Sequence, residues 1–282
     1  MYGKLYLCAT PIGNLEDITY RVLRTLKEVD LICAEDTRNS IKLLNHFNIQ
    51  TPMTSYHEYN KIGKGFYIVD KLKEGKNVAV ITDAGTPGIS DPGEEIVKQC
   101  IEAGIEVTSL PGATALVTAL TISGLKTKRF AFEAFLPHDK KERKQILDSL
   151  VNETRTIIIY EAPHHLLNTL KELSSYLGNR RITICKELTK LHEKAMYGYI
   201  DEFINKYETD APKGEFVLVI EGKEFSEICE EERKKWDDIT IDEHMEIYLN
   251  QNMKKNDAMK MVAKDRGISK REVYAYLLRD KE

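Results

Sequence analysis

The sequence predicts an α/β protein made of two successive α/β domains and a small helical unit at its C-terminal end. Three observations carry that prediction. Short apolar runs rich in Val, Ile, Leu and Cys alternate with amphipathic stretches through the first 222 of 282 residues. Turns rich in Gly and Pro close several of those runs, as strand-to-helix connections require. Beyond Gly222 the charge pattern changes: residues 226–250 carry nine acids and three bases, and residues 251–282 carry nine bases and five acids.

In the first half, residues 4–9 read as a buried strand ended by Pro11 and Gly13. Residues 17–29 read as a helix, because Ile18, Val22, Leu26 and Val29 recur at helical spacing and Glu16 and Asp17 suit its N-terminus. A second strand over 31–34 precedes a short helix over 39–47, with Ile41, Leu43, Leu44 and Phe47 apolar, and a third helix over 63–73. NVAVIT at 77–82 is a third strand. A turn-rich stretch then leads to a helix over 94–103 closed by Gly104, a strand over 106–110 and a helix over 113–123. Such alternation predicts a parallel sheet with helices on both faces. The polar, basic segment GLKTKR at 124–129 marks a boundary, so the first domain spans 1–123.

A second α/β domain is expected over 124–222, with strands at 130–135, 156–160, 181–186 and 216–221 and helices at 141–151, 164–177 and 200–207. No sequence repeat relates the halves. The remainder, 223–282, reads as an acidic linker followed by a helix-turn-helix-like pair. In that pair Asn256 or Asp257 caps a helix reaching about residue 265, Gly267 makes the turn, and Ser269 with Glu272 forms a capping box for a helix through Leu278. This tail is either a packing appendage or a nucleic-acid arm using Lys254, Lys255, Lys260, Lys264, Lys270 and Arg271.

Composition narrows the function classes. Hydrophobic residues make up 42% and charged residues 30%, enough for packed cores, and the formal charge of −4 excludes a uniformly basic nucleic-acid coat but not a local patch. The scattered Cys8, Cys33, Cys100, Cys185 and Cys229 form neither a CxxC pair nor a Cys–His cluster, so no metal or disulfide framework is expected. No apolar run approaches the roughly 20 residues of a membrane span. The start MYGKLYLCATPIG breaks too early for a signal peptide, which predicts a soluble cytoplasmic protein.

The sequence contains neither GxGxxG opening a helix nor GxxxxGK[ST], which disfavours dinucleotide enzymes and P-loop NTPases. Three shaped turns follow strands instead: ATPIGN at 9–14, TDAGTPGISDPG at 82–93 and LPGATA at 110–115. In an open α/β sheet, ligands bind beyond the carboxyl ends of the strands, and small residues there admit a ligand close to backbone. Glu35, Asp36, Thr37 and Arg38 bring polar groups to the next strand end, either lining the same crevice or capping a helix. SYHEYN at 55–60, YEAPHH at 160–165, KELTKLHE at 186–193 and KGEF at 213–216 add charge elsewhere. The paired His164 and His165 have no third ligand at useful spacing, so no metal site is expected. PHDKKERK at 137–144 is either a solvated helix face or a contact for phosphates.

Taken in order, these segments resemble the bacterial ribosomal RNA small-subunit methyltransferase I family, which is similar to the tetrapyrrole methylases, the class III methyltransferases. The likeness starts with LYLCATPIGNLEDITYRVLRTLKEVDLICAEDTR, runs through SYHEYN, TDAGTPGISDPG, LPGATALVTALTISGL, FEAFLP, YEAPHH and KELTKLHE, and ends with KGEFVLVIEG, spanning residues 2–222. Two positions depart from the family pattern: Ala134 where Gly is usual, and His165 where Arg is usual.

The resemblance implies two α/β domains with S-adenosylmethionine in the cleft between them, usually in a homodimer. It also implies methyl transfer to the ribose 2′-oxygen of a cytidine in the decoding region of 16S ribosomal RNA, on free RNA or on the small ribosomal subunit. By the same resemblance, Thr10, Pro11, Asp83, Gly85, Ile89, Thr114 and Ala115 line the cofactor from the first domain. Tyr160, Ala162, Leu188, Gly214 and Glu215 close it from the second. A ribose hydroxyl is a weak acid, so a base or a nearby cation should help remove its proton. Among the candidates Glu35, Asp36, Arg38, His57, Glu58, Lys186 and Glu193, catalysis is assigned to Glu35, Asp36, Arg38 and Lys186. RNA contact is assigned to Lys140, Lys141, Arg143, Lys144, Lys270 and Arg271. The alternatives are a related methyltransferase acting on a tetrapyrrole or protein side chain, and a non-catalytic RNA-binding assembly factor.

Overall fold

The computed structural model describes residues 1–279. Five short strands, β1 (Leu5–Cys8), β2 (Leu31–Ala34), β3 (Met53–Ser55), β4 (Val78–Ile81) and β5 (Val107–Leu110), form a wholly parallel sheet in the order β3-β2-β4-β1-β5. The central β4 is buried throughout, because the sheet carries a hydrophobic core on each face. Helices α1 (Tyr20–Glu28), α2 (Thr37–His46), α3 (Lys61–Lys73) and α4 (Gly93–Glu102) cross between these strands.

Local capping trims the first helix relative to expectation. The Thr19 hydroxyl accepts from the Val22 N–H at 3.2 Å, so α1 starts after Thr19, and Leu15–Asp17 forms a separate 3₁₀ turn capped by Asn14. β3 was not expected from its half-polar MTS; it forms at the sheet edge because β2 supplies its partner, with Ile32 opposite Met53.

The second sheet contains β6 (Phe130–Phe135), β7 (Thr156–Glu161), β8 (Arg181–Lys186), β9 (Lys194–Tyr199) and β10 (Phe216–Ile220) in the order β6-β7-β10-β8-β9, antiparallel except for β6 beside β7. The unexpected β9, KAMYGY, has too few apolar residues to announce itself and forms by pairing along β8 at the edge. Helices α6 (Lys140–Leu150), α7 (Leu166–Leu177) and α8 (Ile200–Thr209) cover one face around Leu147, Leu170, Leu173 and Phe203. The other face receives α5 (Ala115–Ile122), the last helix of the first half. Its Leu116, Ala119 and Leu120 pack on Ile158, Cys185, Val217 and Val219. Both sheets thereby belong to one compact unit, Met1–Leu150 with Arg155–Glu221.

A second unit comprises Val151–Thr154 and the chain from Gly222. The stretch expected as an acidic linker holds two helices, α9 (Phe225–Lys234) and α10 (Ile241–Leu249), the latter started by a Thr240–Glu243 capping box. Next come α11 (Lys255–Arg266), the Gly267 turn and α12 (Lys270–Arg279), with Ser269 and Glu272 exchanging hydrogen bonds of 2.7 and 3.2 Å. Met245, Ala258, Met259, Val262 and Val273 form the core. Beside it the fully buried His244 stacks 3.7 Å from Trp236. Arg266 Nε donates to His244 Nδ1 at 3.1 Å. Arginine can only donate, so the ring proton resides on Nε2, 3.3 Å from an Asp265 oxygen that also accepts from the Tyr248 hydroxyl. Among the described residues, no helix is long and apolar enough to cross a membrane, and no group of three His, Cys, Asp or Glu side chains could hold a metal ion.

Two predictions follow from this packing. Ala134 occupies a left-handed conformation, φ 51°, where the β6–β7 register slips between Phe132 and Phe135. Ala134→Gly should raise stability by about 0.5–1 kcal/mol in urea titration, because glycine adopts that conformation without a Cβ clash. The His244 pKa is lowered by burial, then by Arg266, with Asp265 opposing. The unfolded imidazole takes up its proton near its ordinary value of 6.5, so folding stability is lost as pH falls below that point. Unfolding followed by the fluorescence of Trp236, the sole tryptophan, should show a midpoint that declines from pH 7.5 toward about 5.5; a midpoint that rises over this range would refute the neutral His244.

Candidate active site at the strand ends

The loops at the carboxyl ends of the first sheet face the second sheet across a cleft of about 490 Å³. Each loop is shaped by hydrogen bonds to its own chain. Thr10 and Gly85 exchange backbone hydrogen bonds of 2.9 and 3.1 Å, and the Thr10 hydroxyl donates to the Thr82 carbonyl at 3.1 Å. The Asp91 carboxylate accepts from the N–H groups of Gly88, Ile89 and Gly93 at 2.7 to 3.0 Å, drawing the long turn into a ring. Gly93 must be small there, because a Cβ would lie 2.6 Å from the Gly88 nitrogen. Thr86 donates to the Ala113 carbonyl at 2.9 Å and shares a 2.8 Å contact with the Thr114 hydroxyl, tying the loops after β4 and β5 together.

The second half closes the cleft with a phenol and an aromatic wall. The Tyr160 hydroxyl accepts from the Leu116 N–H at 3.0 Å, in the first turn of α5. Its ring meets Phe132 and Phe135 edge-on at 4.9 and 5.6 Å. Burial raises the Tyr160 pKa, so it remains a phenol whose proton can be offered to a ligand. Glu187 accepts from the Glu215 N–H at 2.8 Å, and Lys190 bridges the Glu187 and Glu215 carboxylates at 3.0 Å each. Lys190, Thr189 and the Leu188 carbonyl pack against Gly13 so closely that a Cβ there would lie under 3.0 Å from each.

Charge is distributed unevenly. Among the described residues four acids belong to the cleft lining, Glu35, Asp91, Glu161 and Glu215, and no Lys, Arg or His does; the Asp91 and Glu161 carboxylates are spent on their own chain and that of Glu215 pairs with Lys190. Burial is the main cause of a raised Glu35 pKa; the Asp83 N–H lowers it, and the neighbouring Asp83, Asp91 and Asp36 raise it further. Just outside, Arg38 forks onto Asp36 with contacts of 2.6 to 3.2 Å, which pulls the Asp36 carboxyl down to about 2. Cys185 on the cleft floor is pushed up to about 12 by burial and is no nucleophile.

Of the residues expected around a cofactor, Gly85, Ile89, Thr114, Ala115, Tyr160, Ala162, Leu188 and Glu215 line the cleft. Thr10 is buried behind the wall as a loop fastener. Pro11 adjoins it, and Gly214 precedes the lining residue Glu215. Asp83 accepts from the Asp36 N–H and the Asn39 amide, both at 3.2 Å, outside the lining. Of the four catalytic candidates only Glu35 lines the cleft; Asp36 and Arg38 pair beside it, and Lys186 ends β8 opposite Phe216.

Among the proposed RNA contacts, Lys140 and Lys141 are exposed in the first turn of α6, and Lys144 pairs with Asp148 at 2.6 Å. Arg143 is turned inward onto Glu172 and Thr169. Lys270 reaches Asn256 at 3.1 Å, and Arg271 is exposed on α12. Sequence reasoning missed Thr86, Asp91, Phe135, Glu161 and Val217 as cleft residues. The first two lie inside the long turn already singled out, and Glu161 lies inside YEAPHH. Phe135 and Val217 carried no signal that separates a cleft wall from a core.

The sequence profile described as tetrapyrrole (corrin/porphyrin) methylases matches residues 4–204. A Halalkalibacterium halodurans protein named ribosomal RNA small subunit methyltransferase I is 48% identical over 272 residues, covering 96% of this chain and 93% of its own. A Bacillus subtilis protein of the same name matches to the same extent. Among solved structures, a uroporphyrin-III-C-methyltransferase from Thermus thermophilus is similar with a TM-score of 0.55 at 20% identity, over 77% of this chain and 94% of its own. A diphthine synthase gives 0.59 at 12%, over 77% and 89%. At those identities the structural likeness speaks to the fold.

Asp91→Ala should unlatch the long turn. Three backbone N–H groups would lose a charged acceptor, and we expect a loss of about 2 kcal/mol in chemical denaturation together with weakened ligand binding.

Proposed function

The chain belongs to the tetrapyrrole methylase family, among proteins named ribosomal RNA small subunit methyltransferase I, and from that premise we propose that it transfers a methyl group from S-adenosylmethionine to the ribose 2′-oxygen of a cytidine in the decoding region of 16S ribosomal RNA. The observation that carries the cofactor reading is the charge of the cleft: among the described residues no Lys, Arg or His lines it, while Glu35 does, beside an apolar wall of Ile12, Ile89, Leu188 and Val217. A pyrophosphate would find no counter-charge there. A ligand with a sulfonium and a flat heterocycle and without phosphate matches that lining: acidic, cation-free surroundings for the positive charge, aliphatic side chains for the ring. When bound, S-adenosylmethionine supplies an already activated methyl group, so positioning by the protein accounts for much of the catalysis.

Proton removal from the ribose hydroxyl falls to this chain's own residues. Glu35 is the best-placed acceptor of the four candidates, because it lines the cleft and its carboxylate is held at raised basicity by burial. Asp36, drawn down by Arg38, is a poor base and serves to hold the guanidinium at the cleft edge, where it can meet a phosphate. Lys186 is the second cation at a neighbouring strand end. Exposed Lys140 and Lys141, with Lys270 and Arg271 of the C-terminal unit, are the proposed backbone contacts for the RNA or the small ribosomal subunit. The active form is proposed to be a cytoplasmic homodimer.

The test is methyl transfer from labelled S-adenosylmethionine to small ribosomal subunits, to free 16S RNA and to uroporphyrinogen, with ribose-methylation mapping of the product. The expected outcome is a single 2′-O-methylcytidine in the RNA. Glu35→Gln, Asp36→Asn, Arg38→Ala and Lys186→Ala should each lower turnover more than donor affinity, Glu35→Gln by about 10²-fold or more. Labelling of the tetrapyrrole alone, or wild-type rates in all four variants, overturns the assignment.

A further inference from the structure

We propose that Arg143, Thr169 and Glu161 form a chain of positioning residues that fixes the second-sheet lip of the cleft, so that Arg143 acts on methyl-donor binding and not on RNA. This deepens the methyltransferase reading and rests on it. The chain has a direction set by chemistry. Arg143 can only donate, and its Nη2 gives a hydrogen bond to the Thr169 hydroxyl at 2.8 Å. Thr169, accepting there, has one proton to give, and it goes to Glu161 Oε2. The other Glu161 oxygen accepts from the Ala162 N–H at 2.8 Å. Thr169 is fully buried and Glu161 is 6% exposed, so neither has water to replace a lost partner.

Two features make this more than a local ion pair. Glu161, Ala162 and Pro163 all line the cleft, so the chain ends on the wall itself. Arg143 also reaches the carbonyls of Leu136 and Pro137 with Nη1 at 3.5 Å each, immediately after the lining residue Phe135. One guanidinium therefore ties down the ends of both β6 and β7. Glu172 holds it in place through Nε and Nη2 at 2.8 and 2.6 Å. A planar fork with several donors is needed for this arrangement, and lysine would not reproduce it. The Ala162 backbone is spent internally, since its carbonyl also accepts from the His165 and Leu166 N–H groups at 3.1 and 3.2 Å. It therefore shapes the wall and offers a ligand no backbone donor.

The experiment is calorimetric titration of the full chain with S-adenosylmethionine, alongside steady-state kinetics and RNA binding at several salt concentrations. Thr169→Val removes the hydroxyl at nearly constant shape, and Thr169→Ser restores it. We expect about a tenfold weaker donor affinity in Thr169→Val, Glu161→Gln, Arg143→Ala and Arg143→Lys, with Thr169→Ser near wild type. The donor KM should rise while kcat at saturating donor is retained. The salt slope of RNA affinity should be unchanged in Arg143→Ala but shallower in the Lys140→Ala, Lys141→Ala double variant. Donor affinity at wild-type level in Thr169→Val, or a shallower salt slope in Arg143→Ala, overturns the proposal. A wild-type chain that fails to bind S-adenosylmethionine overturns the functional reading beneath it, which separates the two failures.

Discussion

Everything in the cleft depends on helix α5 leaving the first sheet and packing on the second. Leu116 and Leu120 are buried against Val217, Val219 and Ile158, each contributing about 2 kcal/mol of apolar burial. That burial anchors the connection between the halves. The Tyr160 hydroxyl then accepts the Leu116 N–H, one of the donors that a helix start leaves without an intrahelical partner. An apolar helix face, this contact at the start of α5, and hydrogen bonds from Thr183 to the Ser123 carbonyl and from Tyr197 to the Ile122 carbonyl at its end thus set the distance between the loops of the first sheet and the strand ends of the second. The cleft is the space this packing leaves over.

Its walls are rigid because their backbone groups are satisfied before any ligand arrives. Gly85 pairs with Thr10, Asp91 gathers three amides, Glu187 holds the Glu215 amide and Glu161 holds that of Ala162. What remains toward the interior is hydroxyl and apolar surface together with Glu35. Glu187 and Thr189 both hold left-handed backbone, φ 51° and 64°, in the segment that packs against Gly13. Such conformations persist only where surroundings over-determine them. Here the Glu187–Lys190–Glu215 ion pairs and the close approach of the first half provide that constraint. On the function proposed above, the absence of lining cations among the described residues places phosphate contacts at the rim or beyond.

Much of this was legible in the residues. Strands such as β4 and β10 are continuous apolar runs because both faces are covered, and that composition is readable without coordinates. The three Gly- and Pro-rich turns were readable as shaped loops at strand ends, and residues of all three line the cleft. The capping box at Ser269 and the turn at Gly267 were readable because caps are local. The strands β3 and β9 were not readable, because each is a short edge segment whose order comes from its neighbour.

Residue by residue, the sequence by itself determined which segments alternate as strand and helix, which strand ends carry shaped turns, and which family the motifs resemble. Only the tertiary structure decided what each polar side chain does, because pairing is non-local. Arg143 is one of a run of bases in sequence, yet its donors are taken by Thr169 and Glu172, 26 and 29 residues away. Asp36 and Glu35 are adjacent carboxylates, yet Arg38 pulls one down and burial pushes the other up. Periodicity records which face of an element is apolar; the partner that a charge meets is fixed only once distant strands and helices are packed together.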